Sequence, residues 1–300
     1  MTTPAGVRFF AIAPTVFHED GSVDGEAVAQ NVARIQEYGV RGVLLTGSYG
    51  EFQVLTGAER AAVTEAVVRH APDMVLMSGA AALNTASAIE IGEQLFAAGA
   101  HQVMVSAPFA AELTETDLHT HFAEVGSALG HDLVVYNNPV FGVDLSPNLL
   151  AEITESEAYT GVKQGTKLLA AMVDTVTRVQ APGNAQVFAA ADLACAAAIG
   201  AGVAGVTSTN VWVFPEVFLA LADPAVAPER KAQLLTALRP YADLVRQLGQ
   251  PRSVKAAMGI RGYVGSAHVR SPYVPLDDVE SKRMAEAIAE VDDRLTGIGS

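Results

Sequence analysis

The sequence predicts an α/β fold, a (β/α)8 TIM barrel with a C-terminal helical appendage of about three helices. Eight short apolar runs bounded by Gly, Pro, Asn or Ser are continuously hydrophobic, which is typical of parallel strands covered on both faces. Stretches with helical spacing separate these runs. No G-x-G-x-x-G motif follows any run, so a doubly wound nucleotide-binding sheet is disfavoured.

The order of elements alternates strand and helix. The predicted strands are Phe9–Ala13, Gly42–Thr46, Met74–Ser78, Gln102–Ser106, Asp132–Tyr136, Tyr159–Lys163, Gln186–Ala190 and Val203–Thr207. The predicted helices between them are Asp24–Tyr38, Gly57–His70, Thr85–Ala98, Thr114–Ala128, Ser146–Ile153, Thr166–Val179 and Asp192–Ala201. Thr56 and Ser146 are placed to cap helices, and Pro147 suits a first helical position. Gly39 and Gly99 follow helices as stop signals.

The chain after Thr207 is too long for the single helix that closes a barrel. Helical spacing recurs over Ala227–Leu248, Pro251–Gly262 and Asp277–Leu295, and no Pro/Ser-rich linker precedes these stretches. We therefore predict a barrel with the active site in residues 1–225 and a C-terminal helical subdomain packed on it in residues 226–300.

Composition excludes several classes of protein. Half of the 300 residues are apolar, enough for a core that needs no disulfide or metal. The formal net charge of −14 repels nucleic acid and anionic membranes, so neither is expected as a partner. Cys195 is the single cysteine, and the first residues lack the basic and apolar regions of a secretory signal. The expected location is cytoplasmic.

Barrel enzymes place their chemistry where strands end, so the residues at these positions are the candidates. After the second predicted strand, two glycines bracket Ser48 and Tyr49, and successive backbone N–H groups of such a turn can face an anion. An ordinary strand-to-helix turn explains the same residues equally well. Thr46 stands where a G-x-S-x-G motif needs glycine, so no nucleophile elbow is indicated.

Three further strand ends carry polar groups. Lys163 is the one lysine that ends a predicted strand, where partial loss of hydration favours a neutral, nucleophilic amine, although a lysine paired with a rim carboxylate has the same pattern. Tyr136 precedes an Asn-Asn-Pro turn and is either a site residue or a core residue. Thr207 lies where many barrels bind anionic groups, and its hydroxyl equally suits a helix cap.

No metal site is predicted. The seven histidines fall mainly in predicted helices or at strand starts, and the sequence has no H-x-x-x-H pattern or cysteine cluster.

Together, Gly47-Ser48-Tyr49-Gly50-Glu51, Tyr136-Asn137-x-Pro139 and Gly161-Val162-Lys163 resemble the dihydrodipicolinate synthase / N-acetylneuraminate lyase family of class I aldolases. The similarity extends along the chain from Thr15 to Pro272. It implies a barrel with C-terminal helices, a homotetramer or homodimer, and no metal or organic cofactor apart from a covalent Schiff base.

The resemblance also implies roles for individual residues. Lys163 is similar to the Schiff-base lysine, and Tyr136 to the tyrosine that transfers protons. Ser48 matches the hydroxyl that hydrogen-bonds this tyrosine. The backbone of Ser48 and Tyr49 matches the cradle for a 2-oxo acid carboxylate, and Thr207 matches the position that flanks the bound acid.

Three segments depart from the family pattern. Ala107–Ala110 stands where Thr-Pro-Tyr-Tyr is usual, so a second relay tyrosine is absent. Val140–Gly142 replaces the arginine of true dihydrodipicolinate synthases, and Ala190–Asp192 replaces Gly-Asp-Asp. Each change removes a polar group. A lysine-biosynthetic synthase is disfavoured because it needs the missing arginine for its dicarboxylate semialdehyde, and a sialic acid lyase because unpaired sugar hydroxyls are costly in an apolar site.

We therefore expect an apolar mouth in which Phe141, Ala110 and Ala190 contact substrate, with Phe109 and Trp212 as further lining candidates. The predicted activity is a lyase that forms a Schiff base with pyruvate or a related 2-oxo acid and makes or breaks a C–C bond with an apolar or aromatic aldehyde. Two alternatives stay open: a 2-oxo sugar acid dehydratase that uses the same lysine, and a non-catalytic relative that binds an oxo acid.

Overall fold

A computed structural model describes residues 8–141 and 143–298. Eight parallel strands pair in sequence order and close into one barrel. The strands are β1 Phe9–Ile12, β2 Gly42–Leu45, β3 Val75–Gly79, β4 Gln102–Ser106, β5 Leu133–Asn137, β6 Tyr159–Gln164, β7 Gln186–Ala190 and β8 Gly205–Ser208. The predicted barrel is confirmed, and each predicted strand has an observed counterpart displaced by at most two residues at either end.

Helices follow each strand and continue beyond the barrel. They are α1 Gly25–Glu37, α2 Gly57–His70, α3 Thr85–Ala97, α4 Glu115–Leu129, α5 Pro147–Ile153, α6 Leu169–Thr175, α7 Cys195–Gly200, α8 Pro215–Ala222, α9 Pro228–Leu248, α10 Arg252–Ile260 and α11 Asp278–Ile298. Helix α8 closes the barrel, and α9, α10 and α11 form the predicted C-terminal helical part, with α11 packed against both others. None of these helices is long and apolar enough to cross a membrane, among the residues described.

Two apolar layers stabilise the barrel. A large cluster lies between strands and helices, and a smaller one fills the interior. The interior cluster includes Phe10, Leu44, Val134, Tyr136 and Phe188. Because parallel neighbours in register point to the same side of a sheet, the register decides which polar side chains share this interior.

The register places the two main candidates side by side. Tyr136 pairs with Lys163 across β5 and β6, and Lys163 pairs with Phe188 on β7. Tyr136 and Phe188 belong to the interior cluster. Lys163 therefore projects inward near the C-terminal end of the barrel, where both strands end.

Two helices begin three residues later than the sequence predicts. After β6, the Gln164 side-chain oxygen accepts the Thr166 N–H at 3.1 Å, and the Thr166 hydroxyl accepts the Leu168 N–H at 3.1 Å. After β7, the Asp192 carboxylate accepts hydrogen bonds from the Ser208 hydroxyl and the Thr209 N–H. After β6, side chains thus satisfy backbone N–H groups that a helical turn would otherwise use, whereas after β7 the Asp192 carboxylate is bonded to the end of β8. Both segments are non-helical loops at the mouth.

Candidate active site

A cavity of about 240 Å³ opens at the C-terminal end of the barrel. Its wall is formed by Ile12, Ser48, Tyr49, Gln53, Tyr136, Asn138, Val140, Lys163, Gly165, Lys167, Ala190, Asp192, Thr207, Gln250 and Tyr273. Six predicted site residues are among them: Ser48, Tyr49, Tyr136, Lys163, Ala190 and Thr207. Strand ends far apart in sequence therefore meet around one small volume.

Lys163 is the buried amine of this cavity. Its side chain is 1% exposed, and Nζ lies 3.9 Å from the centroid of the Tyr136 ring. Across residues 8–141 and 143–298, no carboxylate lies within ion-pair distance of Nζ. The alternative of a lysine paired with a rim carboxylate is therefore not what the described residues show. The amine faces an aromatic ring and open space, as an amine that attacks a carbonyl requires.

Two polar side chains of the described residues lie beside the Tyr136 hydroxyl. Asn138 Nδ2 donates a hydrogen bond to it at 2.7 Å, and Ser48 Oγ lies 3.2 Å away. Asn138 can only donate through this amide group, whereas Ser48 can accept the phenolic proton. The resemblance implies the Ser48 contact, whereas Asn138 was predicted only as part of a turn.

Asn137 holds the loop that carries Asn138. Its side chain donates to the Leu145 carbonyl at 3.0 Å and to Gln164 Oε1 at 3.1 Å, and it accepts the Leu145 N–H at 2.9 Å. All three residues are buried. These bonds join the loop after β5 to the end of β6, so Asn138 stays in place over Tyr136.

The turn after β2 is a single 3₁₀ turn, Ser48–Gly50. Gly47 precedes it, and a Cβ there would lie 2.4 Å from Leu44 Cδ2, so a larger residue would require the Leu44 side chain to move. Within the described residues, the N–H groups of Ser48 and Tyr49 donate no hydrogen bond. Burial and the nearby Asp192 raise the pKa of Tyr49 to about 12, so its phenol stays protonated.

Thr207 contributes a hydroxyl from the end of β8. The residue is 1% exposed, and its Oγ1 has no hydrogen-bond partner in the described part of the chain. A buried hydroxyl without a partner is unfavourable by about 1–3 kcal/mol, and a bound ligand would relieve that cost. In register, Thr207 pairs with Ala190, so both face the same cavity.

Most of the described residues that the sequence predicts for an apolar mouth lie away from the cavity wall. Ala110 is exposed and is not part of the cavity wall, because the chain turns after β4 with the Ala110 N–H bonded to the Pro108 carbonyl. Phe109 stacks on Phe52, with ring centroids 5.9 Å apart, and is likewise not part of the wall. Trp212 is fully buried, with Nε1 donating to a backbone carbonyl.

Of the predicted apolar lining, Ala190 alone contributes to the described wall. The remaining prediction, Phe141, has a side chain that lies outside the described residues. Polar groups that the sequence did not indicate occupy the rim instead: Gln53, Asn138, Lys167, Gln250 and Tyr273.

A second cavity of about 520 Å³ adjoins the first and shares Tyr49, Lys167, Asp192 and Gln250 with it. It extends from the loop after β7 to helix α9. The two cavities together form a continuous space from Lys163 to the C-terminal helices.

The segment between α10 and α11 reaches the mouth and is anchored there by Arg270. The Arg270 guanidinium donates to the Gly21 carbonyl at 2.7 Å, to the Val54 carbonyl at 2.8 Å and to Glu59 at 2.5 Å. Such multiple charge-assisted bonds fix the segment to the loops after β1 and β2.

A buried ion pair reinforces the same contact. Glu51, at the end of the Gly47–Glu51 turn, pairs with Lys255 of α10, and the two side chains are 0% and 2% exposed. Glu51 also accepts the Arg270 N–H at 3.1 Å. Burial lowers the pKa of Lys255 to about 8 and raises the pKa of Glu51.

Among the described residues, no three or more His, Cys, Asp or Glu side chains cluster in a way that could hold a metal ion. His121 is buried and bonded to Thr85 and Ser106, so it packs helix α4 against the barrel.

Comparisons with known proteins agree with this architecture. A model of the dihydrodipicolinate synthetase family matches residues 6–291. The chain is 27% identical to a protein of Haloarcula marismortui named 4-hydroxy-tetrahydrodipicolinate synthase, over 95% of each chain. It is 30% identical to an uncharacterised DapA-like lyase of Halobacterium salinarum, over 92% of this chain and 91% of the other.

A solved structure has the same fold. It is YagE of Escherichia coli K12, described as a prophage protein of the dihydrodipicolinic acid synthase family in complex with pyruvate. The two folds superpose with a TM-score of 0.87 at 23% identity, over 96% of this chain and 99% of the other. The chain therefore belongs to the dihydrodipicolinate synthetase family of class I aldolases and lyases.

Proposed function

We propose that this chain is a lyase that forms a Schiff base between Lys163 and pyruvate or a related 2-oxo acid, and makes or breaks a C–C bond. One observation carries the proposal. The Lys163 amine is buried beside the Tyr136 ring, inside a small cavity, without a carboxylate partner among the described residues. A lysine serving only packing or stability is rarely left in that state.

In the proposed reaction, neutral Lys163 Nζ attacks the ketone carbon of the 2-oxo acid. The carbinolamine loses water to give an iminium, which acts as the electron sink. Removal of a C3 proton then gives an enamine that attacks the aldehyde carbon, or in the reverse direction the C3–C4 bond breaks and its electron pair forms the enamine. Hydrolysis releases the product and restores the amine. Tyr136 transfers the protons, with Asn138 and Ser48 orienting its hydroxyl.

The carboxylate of the oxo acid is proposed to bind at the turn after β2. The N–H groups of Ser48 and Tyr49 have no acceptor in the described residues, and the Thr207 hydroxyl on β8, on the other side of β1, has no partner there either. Three local donors compensate for the long-range repulsion of an anion by a chain with a net charge of −14.

The second substrate is proposed to carry polar oxygens rather than an apolar or aromatic group. Gln53, Gln250, Tyr273 and Lys167 on the rim support this revision of the sequence-based expectation. The same polar rim keeps one alternative open, the dehydration of a 2-oxo sugar acid through the same lysine. Products distinguish the two, because an aldehyde is released in the first case and water in the second.

A true dihydrodipicolinate synthase is a further candidate, because a relative 27% identical carries the name 4-hydroxy-tetrahydrodipicolinate synthase. Against it, Val140 occupies the segment where the resemblance calls for an arginine, and this side chain is 71% exposed. Condensation of pyruvate with aspartate semialdehyde tests this candidate directly. Turnover at the rate expected of a biosynthetic enzyme would establish it.

We further propose that the enzyme acts in the cytoplasm as a homotetramer or homodimer, without metal or organic cofactor. Leu168, Leu169 and Val173, which lie together at the start of α6, are exposed and support contact with another subunit. Sedimentation analysis measures the assembly.

The decisive experiment is covalent trapping. Incubation with pyruvate followed by borohydride should add the mass of one reduced pyruvate, and peptide mapping should locate it at Lys163. Lys163→Ala should lack the adduct. Lys167→Ala is the matched control, because it removes another lysine of the cavity wall and should retain the adduct. Absence of any adduct from the unmodified enzyme with pyruvate and other 2-oxo acids would refute the proposed function.

A further inference from the structure

We propose that Tyr273 determines specificity for the second half of the substrate, by hydrogen-bonding an oxygen on C4 of the 2-oxo acid that is cleaved or formed. This inference rests on the proposed function, because it assumes that C2 is bound to Lys163. It concerns a residue that lies after the barrel, in the segment between α10 and α11.

Tyr273 lies where the second half of a bound substrate would reach. Tyr273 belongs to the same cavity wall as Lys163 and Tyr136, but it is half-buried whereas those two are buried. Lys163 and Tyr136 form the floor, and below them the interior is filled by side chains such as Phe10 and Phe188. With its C2 on Lys163, a substrate longer than pyruvate can extend only toward the rim. Its C4 substituents then approach the wall that Tyr273 forms.

The Tyr273 hydroxyl is available to hydrogen-bond a substrate. The Tyr273 hydroxyl makes no hydrogen bond within residues 8–141 and 143–298, so it is free to donate and to accept. Burial and the negative charge of Glu51 raise the pKa of Tyr273, which keeps the phenol protonated. A protonated phenol donates to a hydroxyl or carbonyl oxygen of the substrate and rejects an analogue without that oxygen.

The turn that carries Tyr273 is held on the barrel by hydrogen bonds. The Tyr273 N–H donates to the Arg270 carbonyl at 3.0 Å and closes a turn. The Arg270 side chain is bonded to Gly21 and Val54 in barrel loops and to Glu59 of α2, and its N–H is bonded to Glu51. The turn that presents Tyr273 is therefore fixed on the barrel before substrate arrives, which reduces the entropy that binding must offset. Lys167, on the same wall, is exposed and has no such support.

The test compares two acids that differ by one hydroxyl, 2-oxobutanoate and 4-hydroxy-2-oxobutanoate. Borohydride trapping over a range of concentrations gives a half-saturation concentration for each acid. The unmodified enzyme should be half-saturated by the hydroxylated acid at a concentration about fivefold to tenfold lower, as one neutral hydrogen bond predicts. Tyr273→Phe should bring the ratio close to one and leave trapping of pyruvate within about twofold of normal.

Tyr263→Phe is the matched control. Tyr263 lies on the same segment, but its ring lies beneath Arg34, with the guanidinium carbon 3.5 Å from the ring centroid, and it is not part of the cavity wall. This variant should retain the preference of the unmodified enzyme. Tyr273→Leu serves as a second variant with apolar bulk at the position, and it should lose the preference as well.

The inference would be overturned if the ratio of the half-saturation concentrations of the two acids were the same in the unmodified enzyme and in Tyr273→Phe. It would also be overturned if the unmodified enzyme did not prefer the hydroxylated acid. Parallel loss of pyruvate trapping in both Tyr273 variants would also overturn it, because the phenol would then serve the first substrate. Failure of the proposed function looks different: the unmodified enzyme would trap none of the three acids, and the inference would fall with it.

Discussion

Two buried lysines show how differently this barrel uses the same side chain. Lys163 at the end of β6 and Lys255 in α10 are 1% and 2% exposed. Lys255 is paired with Glu51 and donates to the His268 carbonyl at 2.8 Å. Lys163 has no such partner among the described residues and faces an open cavity. Burial is common to both, so the absence of a counter-charge, together with access for a ligand, distinguishes the proposed nucleophile from the structural cation.

The strongest test of this contrast is the same substitution at both positions. Lys163→Met should lower turnover of the trapped oxo acid by about four orders of magnitude or more, because no other amine occupies the position of the nucleophile. Its unfolding free energy should stay unchanged or rise, since the substitution replaces a buried amine that has no counter-charge among the described residues by an apolar side chain of similar length. Chemical denaturation alongside the rate measurement separates the two effects. A stable variant that retains substantial turnover would contradict the role given to Lys163.

The next-largest effect is expected at Tyr136, the aromatic neighbour of Lys163. Tyr136→Phe should reduce turnover by roughly two to four orders of magnitude, because the variant keeps the ring beside Nζ and loses the proton carrier. Exchange of the pyruvate methyl protons with deuterium, followed by NMR, measures the step without a second substrate.

Tyr159→Phe is the control for Tyr136→Phe. Tyr159 is a buried tyrosine whose hydroxyl donates to the Phe122 carbonyl at 2.6 Å, away from the cavity wall. The Tyr159→Phe variant should be less stable by only about 1 kcal/mol and should retain full exchange activity. Normal exchange in Tyr136→Phe would mean that the phenol only packs against the lysine.

How much of this could be read from the sequence differs between the two lysines. Lys163 and Tyr136 were predictable because a (β/α)8 barrel brings all strand ends to one face, so a polar residue ending an apolar run has a known place. Lys255 and Tyr273 lie after the barrel, and helical spacing there gives no information on the path of the chain back to the mouth. Their contacts depend on the anchoring of Arg270, between residues more than 200 apart in sequence.

The rim of the cavity was harder to predict from the sequence, for a related reason. Ala110 and Ala190 show that two positions lack the polar side chains usual in the family. They do not show which other element of the fold supplies polar groups in their place. Gln250 and Tyr273 fill the rim from the C-terminal part of the chain. Composition at strand ends therefore predicts the reacting floor of the site better than its rim.

A smaller effect is expected when the structural lysine is changed. Lys255→Met should lower the unfolding free energy by about 3–5 kcal/mol, because Glu51 would remain buried without a counter-charge. Adding Glu51→Gln should recover most of that loss, since the remaining pair is neutral. Denaturant unfolding of the two single variants and the double variant measures the coupling. Full stability in Lys255→Met alone would show that the ion pair does not hold α10 to the mouth.

The smallest effect distinguishes the mouth from the outer layer of the barrel. His121 is buried between Thr85 and the Ser106 carbonyl, and burial lowers its pKa below 6.5. Well above pH 6.5 the His121 imidazole is neutral in both the folded and the unfolded protein. As the pH falls below 6.5, the unfolded chain binds the proton more readily, so stability should decrease by at most about 2 kcal/mol between pH 7 and pH 5. His121→Gln should flatten this dependence, whereas His119→Gln, at an exposed position of the same helix, should not. An unchanged pH slope in His121→Gln would place the acid sensitivity elsewhere, for example at carboxylates such as Glu59, whose pKa the Arg270 guanidinium lowers.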